Sequence, residues 1–349
     1  MLIAIHPDDY TSPGKEPESD ASSPRWARLL KDEGHEVRWV DVRRADILEQ
    51  LRGCQGFMWR WAHFNGMGRI ARRLLPVIER ELKLTVYPDQ STCWHYDDKI
   101  AQAYLLDAAG ISVPKTWVWF DQDAALEWAT TATYPMVLKL AAGAGSTNVR
   151  LIENPEQASK WIRVLFERRV TSLNPMQIAE SGWRRKVRAA ARIMVKGTYP
   201  VFADNGVEAQ SGYVLFQEFL PGNAFDTRIT VIGRRAFGFR RFNRDNDFRA
   251  SGSGRIDFDP LKVDEGFVRC AFRTAGTLGT QSCAIDGLYR NGLPCVGEIS
   301  YTYLSAAVFK CPGHWTLEGE PDSGVLKWVD QQMWPEEAQV QDFLERLES

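Results

Sequence analysis

The sequence predicts a mixed α/β protein in which a parallel α/β unit precedes an antiparallel, strand-rich unit. Three observations predict it. Residues 1–88 alternate short apolar runs with helical stretches, the pattern of strands joined by crossover helices. A second alternation begins near Pro88 and carries a Gly/Ser loop after a buried strand. Residues 284–301 then place two apolar runs around a polar Arg290-Asn291-Gly292 turn, which reads as a β-hairpin.

Taken in order, Leu2–His6, Val37–Val40 and Gly56–Arg60 read as strands, and Pro24–Glu33 and Gly68–Leu82 as helices. Between the first strand and helix, residues 8–23 are rich in Pro, Ser, Asp and Gly and read as a loop, placed where α/β units tend to carry ligands. In the second unit Asp97–Ala109 is an amphipathic helix closed by Gly110, and Pro114 opens the strand Thr116–Phe120. Helix 121–131, strand 135–140, the loop 141–148, strand 149–153 and helix 155–168 follow. The third unit has strands at 214–220, 226–232 and 236–243 before the hairpin. The expected division is 1–88, 89–212 with a basic helical insert near 170–212, 213–312 with the hairpin, and a tail over 313–349.

Composition limits the classes of function. The 349 residues are 44% hydrophobic and 25% charged, ordinary for a globular protein with more than one domain. A formal net charge of −2 does not suit a nucleic-acid binder. No run of about 18 apolar residues occurs, and the apolar N-terminus is short and without a basic flank, so it reads as a strand rather than a signal peptide. The 6 cysteines have no metal-ligand spacing and read as reduced thiols of a cytoplasmic protein. Residues 182–196 are strongly basic and could face an anionic substrate or a membrane surface.

Two features carry chemistry. Asp286 and Glu298 sit near opposite ends of the hairpin strands, where antiparallel pairing brings carboxylates together to hold Mg²⁺ against a nucleotide. Upstream, Lys139-Leu-Ala-Ala-Gly-Ala-Gly-Ser146 offers glycines, whose backbone can approach phosphate closely, and a hydroxyl. It is not a P-loop, because the Lys precedes the glycines and the loop leads into a strand. Trp59, Trp61 and Trp94 could stack on a sugar ring or pack in the core, and His63 and His95 lie near them.

The order of these elements resembles the ATP-grasp superfamily across roughly residues 88–312. Lys99 opens a helix, Lys139 ends a strand, Gln217-Glu-Phe-Leu-Pro-Gly222 ends another, and Asp226-Thr-Arg228 begins the next. Arg240, Arg241 and Arg249 surround a second Gly/Ser loop, and Asp286 and Glu298 close the series. A pre-ATP-grasp domain would precede it. Within the superfamily, Trp59-Arg-Trp61, Trp94-His-Tyr-Asp-Asp-Lys99 and Gly297-Glu-Ile-Ser-Tyr301 resemble ATP-grasp proteins of bacterial surface-polysaccharide gene clusters.

The resemblance implies roles. Lys99 and Lys139 contact ATP phosphates, and the loop of Gly143, Gly145 and Ser146 folds over them. Glu218, Phe219 and Leu220 form the adenine hinge, with Gln217 or Glu218 near the base or ribose and Asp226 on the ribose side. Arg228 and Arg249, with Arg240 beside them, face the transferring phosphoryl group. Asp286 and Glu298 hold two Mg²⁺, for which Mn²⁺ can substitute, and Ser300 stands where the family usually has Asn. The implied activity is ATP-dependent joining of a carboxylate to an amine, with an acidic sugar or glycan precursor as the acid and a monomer or homodimer as the assembly. The alternatives are an ATP-grasp kinase or phosphotransferase, and a nucleotide-binding regulatory protein without turnover.

Overall fold

The computed structural model describes residues 1–8, 21–62, 66–143, 148–170, 210–245, 247–250 and 253–348. The chain divides into two compact units: residues 1–96, 108–112 and 223–349 form one, and residues 97–107 and 113–222 the other.

The first unit begins with a four-stranded parallel sheet of order β2-β1-β3-β4, built from β1 (Leu2–Ile5), β2 (Glu36–Trp39), β3 (Gly56–Met58) and β4 (Thr85–Tyr87). Alternation along these strands sends side chains to two faces. Ala4, Phe57 and Val86 pack with Ala71, Leu75 and Ile78 of α2 (Met67–Arg80). On the other face, Ile3, Ile5, Met58 and Tyr87 meet Trp26 and Leu30 of α1 (Ser22–Asp32). That second layer is completed from the far end of the chain: Val340 and Phe343 of the C-terminal helix Pro335–Glu348 join the same cluster. A Cβ at Gly56 would lie 2.6 Å from the Phe343 ring, so glycine there gives the helix room to approach. The C-terminal helix is therefore a structural part of the first sheet's core.

The same unit holds a seven-stranded sheet. Its main path is β13-β12-β9-β10-β14-β15, with β11 (Ile256–Asp257) pairing to β10, and its pairings are antiparallel. The strands are β9 (Phe225–Ile232), β10 (Arg235–Phe242), β12 (Ser282–Arg290), β13 (Leu293–Ser300), β14 (His314–Glu318) and β15 (Val325–Val329). The predicted hairpin is β12–β13. Arg290 pairs with Leu293 across Asn291 (φ 53°) and Gly292 (φ 79°), the two left-handed residues that a two-residue hairpin turn needs. Helix Glu265–Leu278 covers one face. Asp264 caps it by accepting from the Gly266 amide, and left-handed Gly279 ends it.

The second unit carries a four-stranded antiparallel sheet of order β5-β8-β6-β7, from β5 (Thr116–Trp119), β6 (Met136–Lys139), β7 (Val149–Ile152) and β8 (Val214–Glu218). Helices Gln122–Thr131 and Pro155–Glu167 bury Ala125, Ala129, Ala158, Ile162 and Leu165 against Met136, Leu138, Val214 and Phe216. Asn154, whose side chain accepts from the Gln157 amide, followed by Pro155 in the first turn, sets the start of the second helix. On the other face of the sheet, Leu215 and Val118 pack with Ile100 of the helix Lys99–Ala108.

Candidate active site

The larger sheet has one face that changes from apolar to charged along its strands. Ile232, Phe237, Phe239 and Ala284 form the apolar end with Tyr303, Val308 and Cys311. Farther along, register sets Arg228 opposite Asp286, and Asp286 opposite Glu298, so the three charges form a row across β9, β12 and β13. Next to that row, Arg241 stands opposite Asp226.

The acids and guanidinium groups interlock. Arg228 Nε donates to Asp286 Oδ1 at 2.6 Å and Nη2 to Oδ2 at 2.7 Å. Arg241 donates through Nε and Nη2 to the two oxygens of Asp226, each at 2.7 Å, and its Nη2 also lies 2.8 Å from Asp286 Oδ2. Burial pushes the Asp286 carboxyl up, but the Arg228 and Arg241 charges outweigh it and hold the group well below the usual carboxylate range. Asp286 is thus a carboxylate fixed in orientation by two arginines. Arg241 has no separate role in the sequence expectation; the signal was the alternation Phe237-x-Phe239-x-Arg241, which continues the inward face.

Arg240 is placed differently from expectation. As the immediate neighbour of Arg241 it lies on the opposite face, where Nη2 donates to Asp257 Oδ2 at 2.7 Å and the guanidinium sits 4.8 Å from the Phe225 ring centre. Strand parity is the physical reason. Arg249 grips Asp247 two residues away, Nε to Oδ1 at 2.9 Å and Nη2 to Oδ2 at 2.6 Å.

The candidate metal ligands offer oxygen donors. Asp286 and Glu298 are hard oxygen donors directly opposite one another, and a bulge between Asp286 and Gly287 shifts the register beside them. Ser300 pairs with Ala284, two residues along the same face, and its Oγ donates to the Thr302 carbonyl at 2.8 Å, keeping acceptor capacity. Among the described residues no group of three or more His, Cys, Asp or Glu gathers into a metal site. The set fits Mg²⁺, which characteristically takes one or two carboxylates and completes its shell with phosphate and water.

In the second unit the ATP candidates cluster around the start of the Gly loop. Lys99 Nζ donates to the Gly143 carbonyl at 2.9 Å, and the Lys99 amide donates to the Ala141 carbonyl at 2.9 Å. The Gly143 amide donates to Asp97 Oδ1 at 2.8 Å. Gly143 has φ 124°, and a Cβ there would land on the Asn148 amide group. Lys139 pairs with Leu215 on the strand that also carries Gln217, so both point to the Ile100 face. Gln217 Nε2 donates to Thr116 Oγ1 at 3.1 Å. The Glu218 carboxylate lies on the other face and accepts from the Lys115 amide at 3.0 Å, tying Glu218 to the start of β5. Phe219 and Leu220 follow β8, with Leu220 buried. Gly145, Ser146, His63 and the basic stretch 182–196 lie outside the described residues.

The aromatic candidates separate by burial. Trp59 and Trp61 are core residues of the first unit, Trp61 contacting the Tyr96 and Tyr301 rings, whereas Trp94 is 45% exposed. His95 is buried.

Comparison with known proteins bears on the whole arrangement. The chain is 24% identical over 202 residues to the alpha-aminoadipate–LysW ligase LysX of Saccharolobus solfataricus, covering 58% of this chain and 59% of that protein. To the ligase of the same name from Sulfurisphaera tokodaii it is 27% identical over 202 residues, covering 57% and 56%. The chain thus spans less than two thirds of the length of these curated relatives. No family model matches. Among solved structures, a D-alanine–D-alanine ligase from Bacillus anthracis complexed with ATP superposes with a TM-score of 0.55 at 12% identity, covering 99% of this chain and 96% of that one. A RimK domain ATP-grasp protein from Sphaerobacter thermophilus gives 0.52 at 16% identity, covering 99% and 100%.

Proposed function

We propose that this chain, which has the fold of the ATP-grasp structures it superposes on, is an ATP-dependent carboxylate–amine ligase working through an acyl phosphate. The observation that carries the reading is the in-register row Arg228–Asp286–Glu298, closed by Arg241 and Asp226, on one face of one sheet. The relatives named as ligases support it.

A carboxylate oxygen has to become a leaving group before an amine can displace it. In the proposed reaction the acid's oxygen attacks the γ-phosphorus of ATP, the bond to the β-phosphate oxygen breaks, and ADP leaves. The amine then adds to the acyl-phosphate carbonyl, loses a proton, and inorganic phosphate departs as the C–N bond forms. Lys99, Lys139 and the Gly143–Ser146 loop hold the phosphates, and Gln217 to Leu220 hold adenine, with Asp226 on the ribose side as the resemblance implies. Arg228 and Arg249 neutralise charge on the transferring group. Mg²⁺, or Mn²⁺ in its place, would be held by Asp286, Glu298 and Ser300 and would supply further neutralisation of the phosphate oxygens. Arg241 keeps Asp286 oriented, and Arg240, on the other face, is assigned to structure.

The four segments expected from the sequence remain the proposed functional division, with 1–88 selecting the acid. The acid proposed is a uronic or other acidic sugar of a surface-glycan precursor, and the setting proposed is cytoplasmic.

The test is ADP release from Mg·ATP against acidic sugars and sugar nucleotides, each with and without mixed amino acids and simple amines. The expected result is turnover that requires an acid and an amine together. Turnover on an acid alone would make the protein a kinase, and nucleotide binding without turnover across the panel would favour a regulatory role.

A further inference from the structure

The three residues that open the Gly loop have almost every backbone polar group bound. The Ala141 amide donates to the Tyr213 hydroxyl at 2.7 Å, and the Ala141 carbonyl accepts from the Lys99 amide at 2.9 Å. The Ala142 carbonyl accepts from Asn148 Nδ2 at 3.0 Å. Asp97 Oδ1 holds the Gly143 amide and Lys99 Nζ the Gly143 carbonyl. The Ala142 amide has no partner among the described residues, and Ala142 is only partly buried. An open N–H between two pinned neighbours is a donor with a fixed direction, which is what a phosphate oxygen needs.

Of the groups that hold this segment, Tyr213 is the one the sequence expectation gave no part in phosphate binding. The β6–β8 ladder ends at Lys139 and Leu215, so beyond it the tyrosine hydroxyl takes the place of a strand carbonyl as acceptor. Tyr213 is 7% exposed and clusters with Ala141 and Leu215, with Ile100 and Val118 packed against them. Its hydroxyl is committed on both sides, accepting from Ala141 and donating to Gln210 Oε1. Gln210 is itself held by a two-bond bridge to Val170, each amide 2.8 Å from the facing carbonyl. With its proton given to Gln210, the hydroxyl offers a lone pair to the Ala141 amide. Burial pushes the Tyr213 pKa up to about 12, so that proton stays in place at neutral pH.

We propose that Tyr213 is a positioning residue for nucleotide phosphate: its hydroxyl fixes Ala141, and through Ala141 the direction in which the Ala142 amide meets a phosphate oxygen. Tyr213 itself touches no phosphate. The assignment rests on the nucleotide part of the ligase reading. It adds to the phosphate site a residue 72 positions along the chain from the loop it orients.

The experiment compares the full chain with Tyr213→Phe, which keeps the ring and removes the hydroxyl. Calorimetric titration should show Mg·ADP bound about fivefold or more weakly, the scale of one hydrogen bond. Adenosine, which carries no phosphate, should bind the variant as it binds the parent. Hydrogen exchange followed by mass spectrometry should quicken in the peptide holding Ala141 and Ala142 and stay unchanged in β5 and β7, which separates loss of the bond from loss of the sheet. Exchange carries the test where adenosine binds too weakly to titrate. Gln210→Leu, which leaves the hydroxyl but removes its acceptor, gives the same contrast at a smaller factor if Tyr213→Phe does not fold. Unchanged Mg·ADP binding, an equal loss for adenosine and Mg·ADP, or faster exchange across the whole sheet would overturn the assignment. Failure of the parent to bind Mg·ADP at all would instead remove the nucleotide reading, and this assignment with it.

Discussion

Two adjacent arginines on β10 show how much one residue of register decides. Arg241 joins two carboxylates on the charged face, and Arg240 pairs with Asp257 on the other. Removing Arg241 leaves Asp226 and Asp286 enclosed beside one another with one guanidinium fewer. Breaking such a pair costs about 3–5 kcal/mol. Arg240 is partly exposed, and loss of its pair should cost about 1 kcal/mol or less. Urea unfolding at neutral pH, where Asp286 is ionised, should therefore place Arg241→Met well below Arg240→Met. Equal losses would contradict the assignment of faces. At this scale the sequence was only partly legible. Residue types and order marked Arg228, Asp286 and Glu298, but which arginine of the pair points inward depends on strand phase. The tie of Glu218 to the Lys115 amide depends on a partner about a hundred residues away.

The β12–β13 hairpin was legible because Asn-Gly between apolar runs has one strongly favoured local solution. The bulge beside it was not, since the extra residue becomes visible only when partner positions are counted. That bulge places Gly287 next to Asp286, on the face covered by helix Glu265–Leu278, and a Cβ at Gly287 would fall inside the Phe267 ring. Phe267 is fully buried and cannot swing out. Gly287→Ala should cost about 1–3 kcal/mol by overpacking, with Phe267→Leu in the same chain recovering part of it. A Gly287→Ala chain as stable as the parent would show that strand and helix are not packed as described. The helix itself was absent from the sequence expectation, although Asp264 and Gly279 bracket an amphipathic run; the strands on either side drew that segment into a strand-rich reading. Strands β14 and β15 were missed because their exposed, mixed sequence carries little alternation.

On the scale of the molecule, the order of strands, loops and acids made the fold legible before any contact was known, and the solved ATP-grasp structures superpose over nearly the whole chain. What the sequence could not show was that Phe343 and Glu336, close to its last residue, meet the core of its first sheet and Ser22 at the start of α1. Such contacts are non-local and leave no periodic trace. They make the N-terminal layer dependent on the C-terminal helix, since burying a side chain like Phe343 stabilises by roughly 1.5–3 kcal/mol. The account's central claim is chemical: the acid is activated by phosphorylation before the amine attacks. With the acid that supports turnover labelled in its carboxylate by ¹⁸O, the released phosphate is analysed by mass spectrometry. Transfer of one carboxylate oxygen into phosphate for each ADP formed is the predicted result. Unlabelled phosphate, with both oxygens kept in the acid or its product, would contradict an acyl-phosphate ligase.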